Sequence, residues 1–419
     1  MKRVTIIMLV SLILLSAWPA GAVQGDTSTV FTVNKALAYL KGQQQADGSY
    51  IEFDGPINAT SGVALAVLAS GLDLNEWKQS GASTIDFLRS QADVLRNPAS
   101  VDGNSAKIAQ LVMVLTASGN EPRSFAGTDW VAILKSIQNG ATGAYGSSFI
   151  QHPWVIMALR SAGETIPQNA ADYLVSNQED DGGFGVNGRG SGSDTNTTAI
   201  CLEALAAIGQ TVESAAVQRA VAYLHTQQNE DGGFPWAKPS PWGTDSDVSS
   251  TAWVIQGLIA AGEDQVGLSW TQNGNTPVSY LIGMQNPSGA FAYQSSWPDD
   301  NLMSTYQVIP ALMGKAFPLD YTTPAPSKPV FVSLYGGIQP INVEEGQTIT
   351  INPYVVKVCP SSPFGIAYVE FFIDGILVGT ASVPDADGVY SFIWDTGKYH
   401  GQLRVVAYDI FGARSEITR

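Results

Sequence analysis

The chain has 419 residues, a formal net charge of −16, 42 glycines and only two cysteines. That length allows two domains and a sizeable core. The acidic balance argues against nucleic acid and anionic membrane surfaces as partners, and Cys201 and Cys359 fall in stretches of different type, so no disulfide framework is expected.

The first element is an export signal. Lys2-Arg3, an apolar run from Val4 to Leu15, then Pro19 and Ala20-Gly21-Ala22 give a basic start, a short apolar core and a small-residue site. This reads as a secretory signal peptide over residues 1–22, cleaved after Ala22, and implies a secreted or cell-surface protein. The run is short for a membrane span, although an uncleaved anchor is the alternative. No other stretch is apolar and long enough to cross a membrane, so no transmembrane span is expected after cleavage.

A repeat then begins. Leu224 to Phe234 (LHTQQNEDGGF) is matched by Leu174 to Phe184 (LVSNQEDDGGF), Leu40 to Tyr50 (LKGQQQADGSY) and Leu281 to Phe291 (LIGMQNPSGAF). Leu134 to Tyr145 carries one extra residue, and Leu88 to Asp102-Gly103 is a degraded copy. Successive copies start about 40 to 57 residues apart, the period of a repeat architecture. Each copy opens as an amphipathic helix, such as Ala216 to Leu224 with Val217, Val221 and Leu224 on one face, and ends in an Asp-Gly turn. The aspartates of these turns are read as turn chemistry.

A second helix of another kind follows each copy: Thr60–Ser70, Ser105–Ser118, Phe149–Ala162, Asn196–Ile208, Val248–Ala261 and Leu302–Met313. Each is stopped by a glycine (Gly71, Gly119, Gly163, Gly209, Gly262, Gly314), and each is apolar nearly all round, as a helix buried on every side must be. Six half-polar helices alternating with six apolar ones predict two concentric rings, an all-α (α/α)6 toroid over residues 28–320.

The Gln…Asp-Gly-Gly-Phe copies, with helices opened by Thr198-Ala199 and Thr251-Ala252, resemble the repeats of the squalene cyclase and protein prenyltransferase family over roughly residues 30–320. The resemblance implies an α/α toroid and, in many relatives, an apolar central cavity that receives isoprenoid chains.

At Thr322 to Pro329 the composition becomes Pro-rich, a linker over residues 321–329. Beyond it, over 330–419, the apolar period drops to two. Strands are predicted at Gln347–Ile351, Tyr368–Ile373, Ile376–Val378, Val389–Trp394 and Leu403–Tyr408, with a hairpin turn at Asp374-Gly375. Short strands in such number predict a small all-β sandwich. Val369 to Gly375, Trp394-Asp395-Thr396 and Val406 to Asp409 resemble bacterial immunoglobulin-like modules, which implies a spacer or adhesive unit. Asp385-Ala386-Asp387-Gly388 is read as a turn rather than a calcium loop.

The resembled cyclases begin with a protonated aspartate in a D-x-D-D-T-A motif, which needs a carboxyl kept neutral by an apolar site. Here the segment is Asp194-Thr195-Asn196-Thr197-Thr198-Ala199, with Asn196 and Thr197 in the second and third acidic positions. The next repeat offers Asp245 and Asp247, set slightly too early. Asp194, Asp245 and Asp247 are therefore weak candidates for an acid. The resembled prenyltransferases hold zinc with Asp, Cys and His, but no D-x-C occurs and His152, His225 and His400 have no partner at ligand spacing, so no metal site is expected. Nucleophile-elbow, zincin and phosphate-loop motifs are absent too.

What remains is the rim where the inner helices start, carrying Asn58, Asp102, Asn104, Asp194, Asn196, Asp245, Asp247, Asp299, Asp300 and Asn301. Helix capping explains most of them. The functional reading is an acidic, aromatic-edged mouth over an apolar cavity, with His152, Trp154, Asn196, Trp236, Trp242, Trp253 and Tyr306 as ligand-binding candidates. Trp253 reads first as core, whereas Trp236 and Trp242 sit in a Pro-rich loop suited to contact. The favoured function is an exported, non-catalytic binder of an apolar or partly apolar small molecule. Alternatives are a cyclase-like enzyme with a degenerate acid motif, a structural or adhesive surface protein with a surface partner, and a cobalamin carrier. Cobalamin enters because transcobalamin and intrinsic factor share the order of toroid then β domain; no other cofactor is indicated.

Overall fold

Alternation of half-polar and apolar segments becomes alternation of outer and inner helices in the computed structural model, which describes residues 27–79, 81–97, 100–319, 338–340, 354–360, 366–382, 389–409 and 414–418. The helices are α1 (Thr27–Gln43), α2 (Pro56–Ala69), α3 (Thr84–Ser90), α4 (Ala92–Leu95), α5 (Ser105–Ala117), α6 (Trp130–Ser136) and α7 (Gln151–Ser161). They continue with α8 (Gln168–Ser176), α9 (Thr195–Ala207), α10 (Ala215–Gln227), α11 (Val248–Ala261), α12 (Pro277–Gly283) and α13 (Leu302–Leu312). The apolar helices α2, α5, α7, α9, α11 and α13 pack each against the next, and α13 packs back against α2, so the inner ring is closed. The half-polar helices lie outside it, α1 against α13, α10 against α9 and α11, α12 against α11. The toroid expected from the sequence is the observed fold.

Inner helices end where expected: Gly71, Gly119, Gly163, Gly209, Gly262 and Gly314 all take left-handed φ between 64° and 84°. The starts are less regular. Helix α2 begins at Pro56, four residues before the expected Thr60, because proline fits the first helical position with its φ already set and no N–H to satisfy.

Three repeats are stitched to the next by their glutamine. Gln178 Nε2 donates to the Gly182 carbonyl at 2.7 Å, within its own turn, and to the Ala216 carbonyl of α10 at 2.8 Å. Gln228 does the same with Gly232 (3.0 Å) and Trp270 (2.9 Å). Gln285 closes the ring through Gly289 (3.0 Å) and Thr32 of α1 (2.7 Å), a span of 253 residues. The turn glycine is required by contact as well as by φ: a Cβ on Gly289 would stand 2.3 Å from the Lys35 carbonyl oxygen, and one on Gly182 2.4 Å from that of Arg219. A threonine makes the second stitch. The N–H groups of Tyr50, Phe184, Phe234 and Phe291 donate to the hydroxyls of Thr60, Thr198, Thr251 and Thr305 at 2.9–3.0 Å, tying each turn to its inner helix.

The β region forms two antiparallel sheets from β1 (Ile338–Pro340), β2 (Tyr354–Pro360), β3 (Ile366–Ile373), β4 (Ile376–Ala381), β5 (Tyr390–Trp394), β6 (Leu403–Asp409) and β7 (Arg414–Thr418). Their orders are β1-β2-β5 and β4-β3-β6-β7. Val356, Val358, Tyr390 and Trp394 of the first share one core with Val369, Phe371, Val405 and Ala407 of the second. Asp374 and Gly375 take φ of 47° and 79°, as a two-residue hairpin turn of that twist requires. Strands β1, β2 and β7 were not anticipated, although Val355 to Val358 alternates exposed and buried. The signal segment, the Pro-rich linker, the strand expected at Gln347–Ile351 and the Asp385–Gly388 turn lie outside the described residues. Among the described residues, no helix is long and apolar enough to cross a membrane.

Candidate functional site

The inner ring is not filled to its centre. A cavity of about 180 Å³ lies inside it, lined from α2 by Asn58, Gly62 and Leu65 and from the preceding loop by Asp54. Gln110 of α5, Trp154 of α7, Trp253 and Gln256 of α11, and Met303, Tyr306, Gln307 and Pro310 of α13 complete the walls, with Phe317 from beyond α13. Gly62 is needed for the fit of α2 and α13, since a Cβ there would come within 2.5 Å of the Tyr306 ring.

Three aromatic rings form one corner. Trp154 and Trp253 meet edge to face with centroids 5.6 Å apart, and Phe317 lies 6.4 Å from the first and 6.2 Å from the second. Phe317 is held by its backbone, whose N–H donates to Glu203 Oε1 of α9 at 2.7 Å. Glu203 is fully buried, its Oε2 has no partner, and burial pushes its carboxyl up to about 8. Sequence reasoning missed both residues. Four more buried oxygens without a hydrogen-bond partner belong to the cavity wall: Asp54 Oδ1, Gln110 Oε1, Gln256 Oε1 and Gln307 Oε1. Burial also raises the Asp54 carboxyl, against the weaker influences of Asn58 and Lys107.

Of the residues singled out in the sequence, Trp154, Trp253, Tyr306 and the rim residue Asn58 meet at this cavity. The others do not. Asp194 and Asp247 are buried N-caps, accepting from Thr197 N and Ser250 N at 2.7 Å. Asn301 does the same for Ser304 N at 2.7 Å in α13, so the position requires a cap and not an acid. Burial pushes both carboxyls up to about 6, opposed by the hydrogen bonds they accept. Asp245 is exposed, and Asn196 accepts from the Thr195 hydroxyl at 3.2 Å. Trp242 is 85% exposed and Trp236 39%, both on the loop before α11 and neither part of the cavity wall.

His152 is a correction. It is fully buried rather than at a rim, and it occupies the slot that threonine fills in four other repeats. Its Nδ1 accepts from Tyr145 N at 3.0 Å, and its Nε2 pairs with the Ala170 carbonyl at 3.0 Å. Those two bonds assign the proton to Nε2, and burial pushes the ring down to about 4, so it is neutral.

The wall offers aromatic surface, one carboxyl and three amides. It suits a ligand that is partly apolar and small, because about 180 Å³ is room for roughly six waters at ~30 Å³ each. Among the described residues, no group of three or more His, Cys, Asp or Glu is placed to hold a metal.

Comparison with known proteins places this architecture. Residues 168–319 match the family model of the squalene-hopene cyclase C-terminal domain. The chain is 31% identical over 147 residues to the drimenyl diphosphate synthase of Streptomyces showdoensis, a stretch covering 35% of this chain and 25% of that protein. It is 39% identical over 104 residues to the squalene–hopene cyclase of Zymomonas mobilis, covering 22% of this chain and 15% of the relative. The chain thus spans a quarter or less of the length of these curated relatives. A variant of the type II terpene cyclase MstE from Scytonema, solved with geranylgeranyl dihydroxybenzoate, shares the fold at a TM-score of 0.50 and 15% identity, over 68% of this chain and 96% of that one. The helical region of this chain is therefore similar in fold to a type II terpene cyclase, and from Gln168 to Leu319 it is similar in sequence to the squalene-hopene cyclase C-terminal domain.

Proposed function

We propose that the toroid is a non-catalytic binder of a small, partly apolar molecule, held in the central cavity between Trp154, Trp253, Tyr306 and Phe317. The observation that carries this reading is the separation of cavity from acid. The aspartates that align with the cyclase motif, Asp194 and Asp247, cap helices away from the cavity wall, and its second acidic position is Asn196. The volume supports it too, since sites for drug-sized ligands run to about 300–1,000 Å³ and this one is smaller. Export through the segment 1–22, and an immunoglobulin-like module that tethers or spaces the toroid at a cell surface, belong to the same proposal.

A second reading has one specific observation in its favour. Asp54 is a carboxyl in the cavity wall, raised by burial and with an unpartnered oxygen, which is the setting of a proton donor. On that reading the protein is a cyclase-like enzyme whose acid has moved to another repeat. Native mass spectrometry of residues 23–419 with polyprenyl diphosphates, squalene and cobalamin separates the readings. A retained, unchanged ligand supports the binder. A product of altered retention, lost in Asp54→Asn, supports the enzyme. No adduct and no product would leave the structural or adhesive role. N-terminal sequencing of exported protein tests cleavage after Ala22.

A further inference from the structure

The cavity wall is unbalanced in its hydrogen bonding, and this points to the chemistry of the occupant. Each unpartnered buried polar atom is costly, and four of the seven such side-chain atoms among the described residues are oxygens of side chains that line this one cavity. The Gln256 amide is fixed in orientation, because its Nε2 donates to the Ala252 and Gln307 carbonyls at 3.3 and 3.4 Å, and turning it over would set oxygen against both. Gln256 is 1% exposed, and its Oε1 is therefore a buried acceptor with nothing to accept. Asp54 supplies a second acceptor and, among the described residues, the only carboxyl group of the wall. Among the described residues it has no ion-pair partner; Lys107 bears on it only as the weakest of four influences. Gln110 and Gln307 are amides that can present either end. The same wall carries Trp154 and Trp253, whose ring faces attract a positive charge and whose surface is apolar.

From this juxtaposition we infer that the cavity takes a small organic ammonium: an apolar body against Trp154 and Trp253 and an N–H-bearing cationic head that donates to Asp54 and Gln256. The inference rests on the reading of the cavity as a binding site and adds the sign of the ligand's charge. A neutral isoprenoid would leave the oxygens of Asp54 and Gln256 as they are.

The test is isothermal titration of the mature chain at pH 7 with benzylamine, a cation at that pH, and with benzyl alcohol, its neutral near-isostere. Benzylamine is expected to bind about tenfold more tightly than the alcohol. Asp54→Asn should bring the two within about twofold, and Gln256→Met should weaken the amine more than the alcohol. Equal affinity in the wild-type chain would overturn the ammonium while leaving a binding site in place, with water serving the acceptors. Failure of both to bind would overturn the ammonium and the binding site together. The comparison of the two ligands on the unaltered protein decides the matter even where a variant does not fold.

Discussion

Glu203 Oε1, in the middle of α9, accepts the backbone N–H of Phe317 at 2.7 Å across 114 residues. The bond ties the segment that follows the last inner helix to a helix two places round the ring, and it sets Phe317 against Trp154 and Trp253. Burial holds the Glu203 carboxyl at about 8, above its ordinary 4.5. The folded state thus keeps a proton that the unfolded state releases, so stability is whole below pH 4.5 and falls as the pH rises towards 8. Glu203→Gln keeps an acceptor for Phe317 and removes the titration. Its melting temperature should exceed that of the wild type at pH 8 and converge with it by pH 4.5; parallel curves would sink the assignment.

Asp247 is expected to respond in the same sense over a lower window. Its folded value of about 6 lies above the ordinary 3.8, so its ionisation costs stability progressively between pH 3.8 and 6. Asparagine caps α13 at the same position, through Asn301. Asp247→Asn should therefore match or raise the melting temperature at pH 7, with no gain at pH 3.8. Asp247→Ala should fall about 1 kcal/mol below Asp247→Asn at either pH, through the lost cap. Denaturant midpoints at the two pH values would show it.

His152 titrates with the opposite sign. Its folded value of about 4 lies below the ordinary 6.5, so the unfolded state takes the proton first. The stabilisation is complete above pH 6.5 and is lost as the pH falls towards 4. Because threonine fills this slot elsewhere, His152→Thr should fold, lose about 1–2 kcal/mol at pH 7 from the broken bond to Ala170, and show a smaller loss at pH 5. Urea unfolding of both proteins at the two pH values measures this.

The glutamine stitches should be worth similar amounts wherever they occur. Gln285→Ala strips the Thr32 and Gly289 carbonyls of a donor, and Gln178→Ala strips those of Gly182 and Ala216. Each is expected to cost about 1–3 kcal/mol. A much smaller loss for Gln285, read by urea midpoint, would show that the junction between α12 and α1 contributes little to the closed ring.

Local signals made the ring legible. Asp-Gly turns, glycine stops and all-round apolar helices are decided within a dozen residues, and they were placed to within a few positions. The histidine in the threonine slot was hidden by loop length. The aromatic donor and its acceptor are 7 residues apart at Tyr145 and His152 but 10, 14, 17 and 14 apart in the repeats that use threonine. A register that slips by that much is not seen by counting. The cavity was less legible still. Asp54, Gln110, Gln256 and Phe317 come from four separate repeats or their flanks, and no spacing in the chain announces that they share a wall. Phe317 lies past the last glycine stop, where the sequence already reads as the approach to a linker.

The junction of Gln285 and Gly289 with α1 gives the toroid a property that an open array of the same hairpins would lack. A linear stack has terminal units with one neighbour, from which it frays, and needs polar caps to finish it. Here every hairpin has two neighbours, and detaching any one breaks two seams. The break between α13 and α1 becomes an arbitrary cut in a circle, so the loops between hairpins are natural places to relocate it.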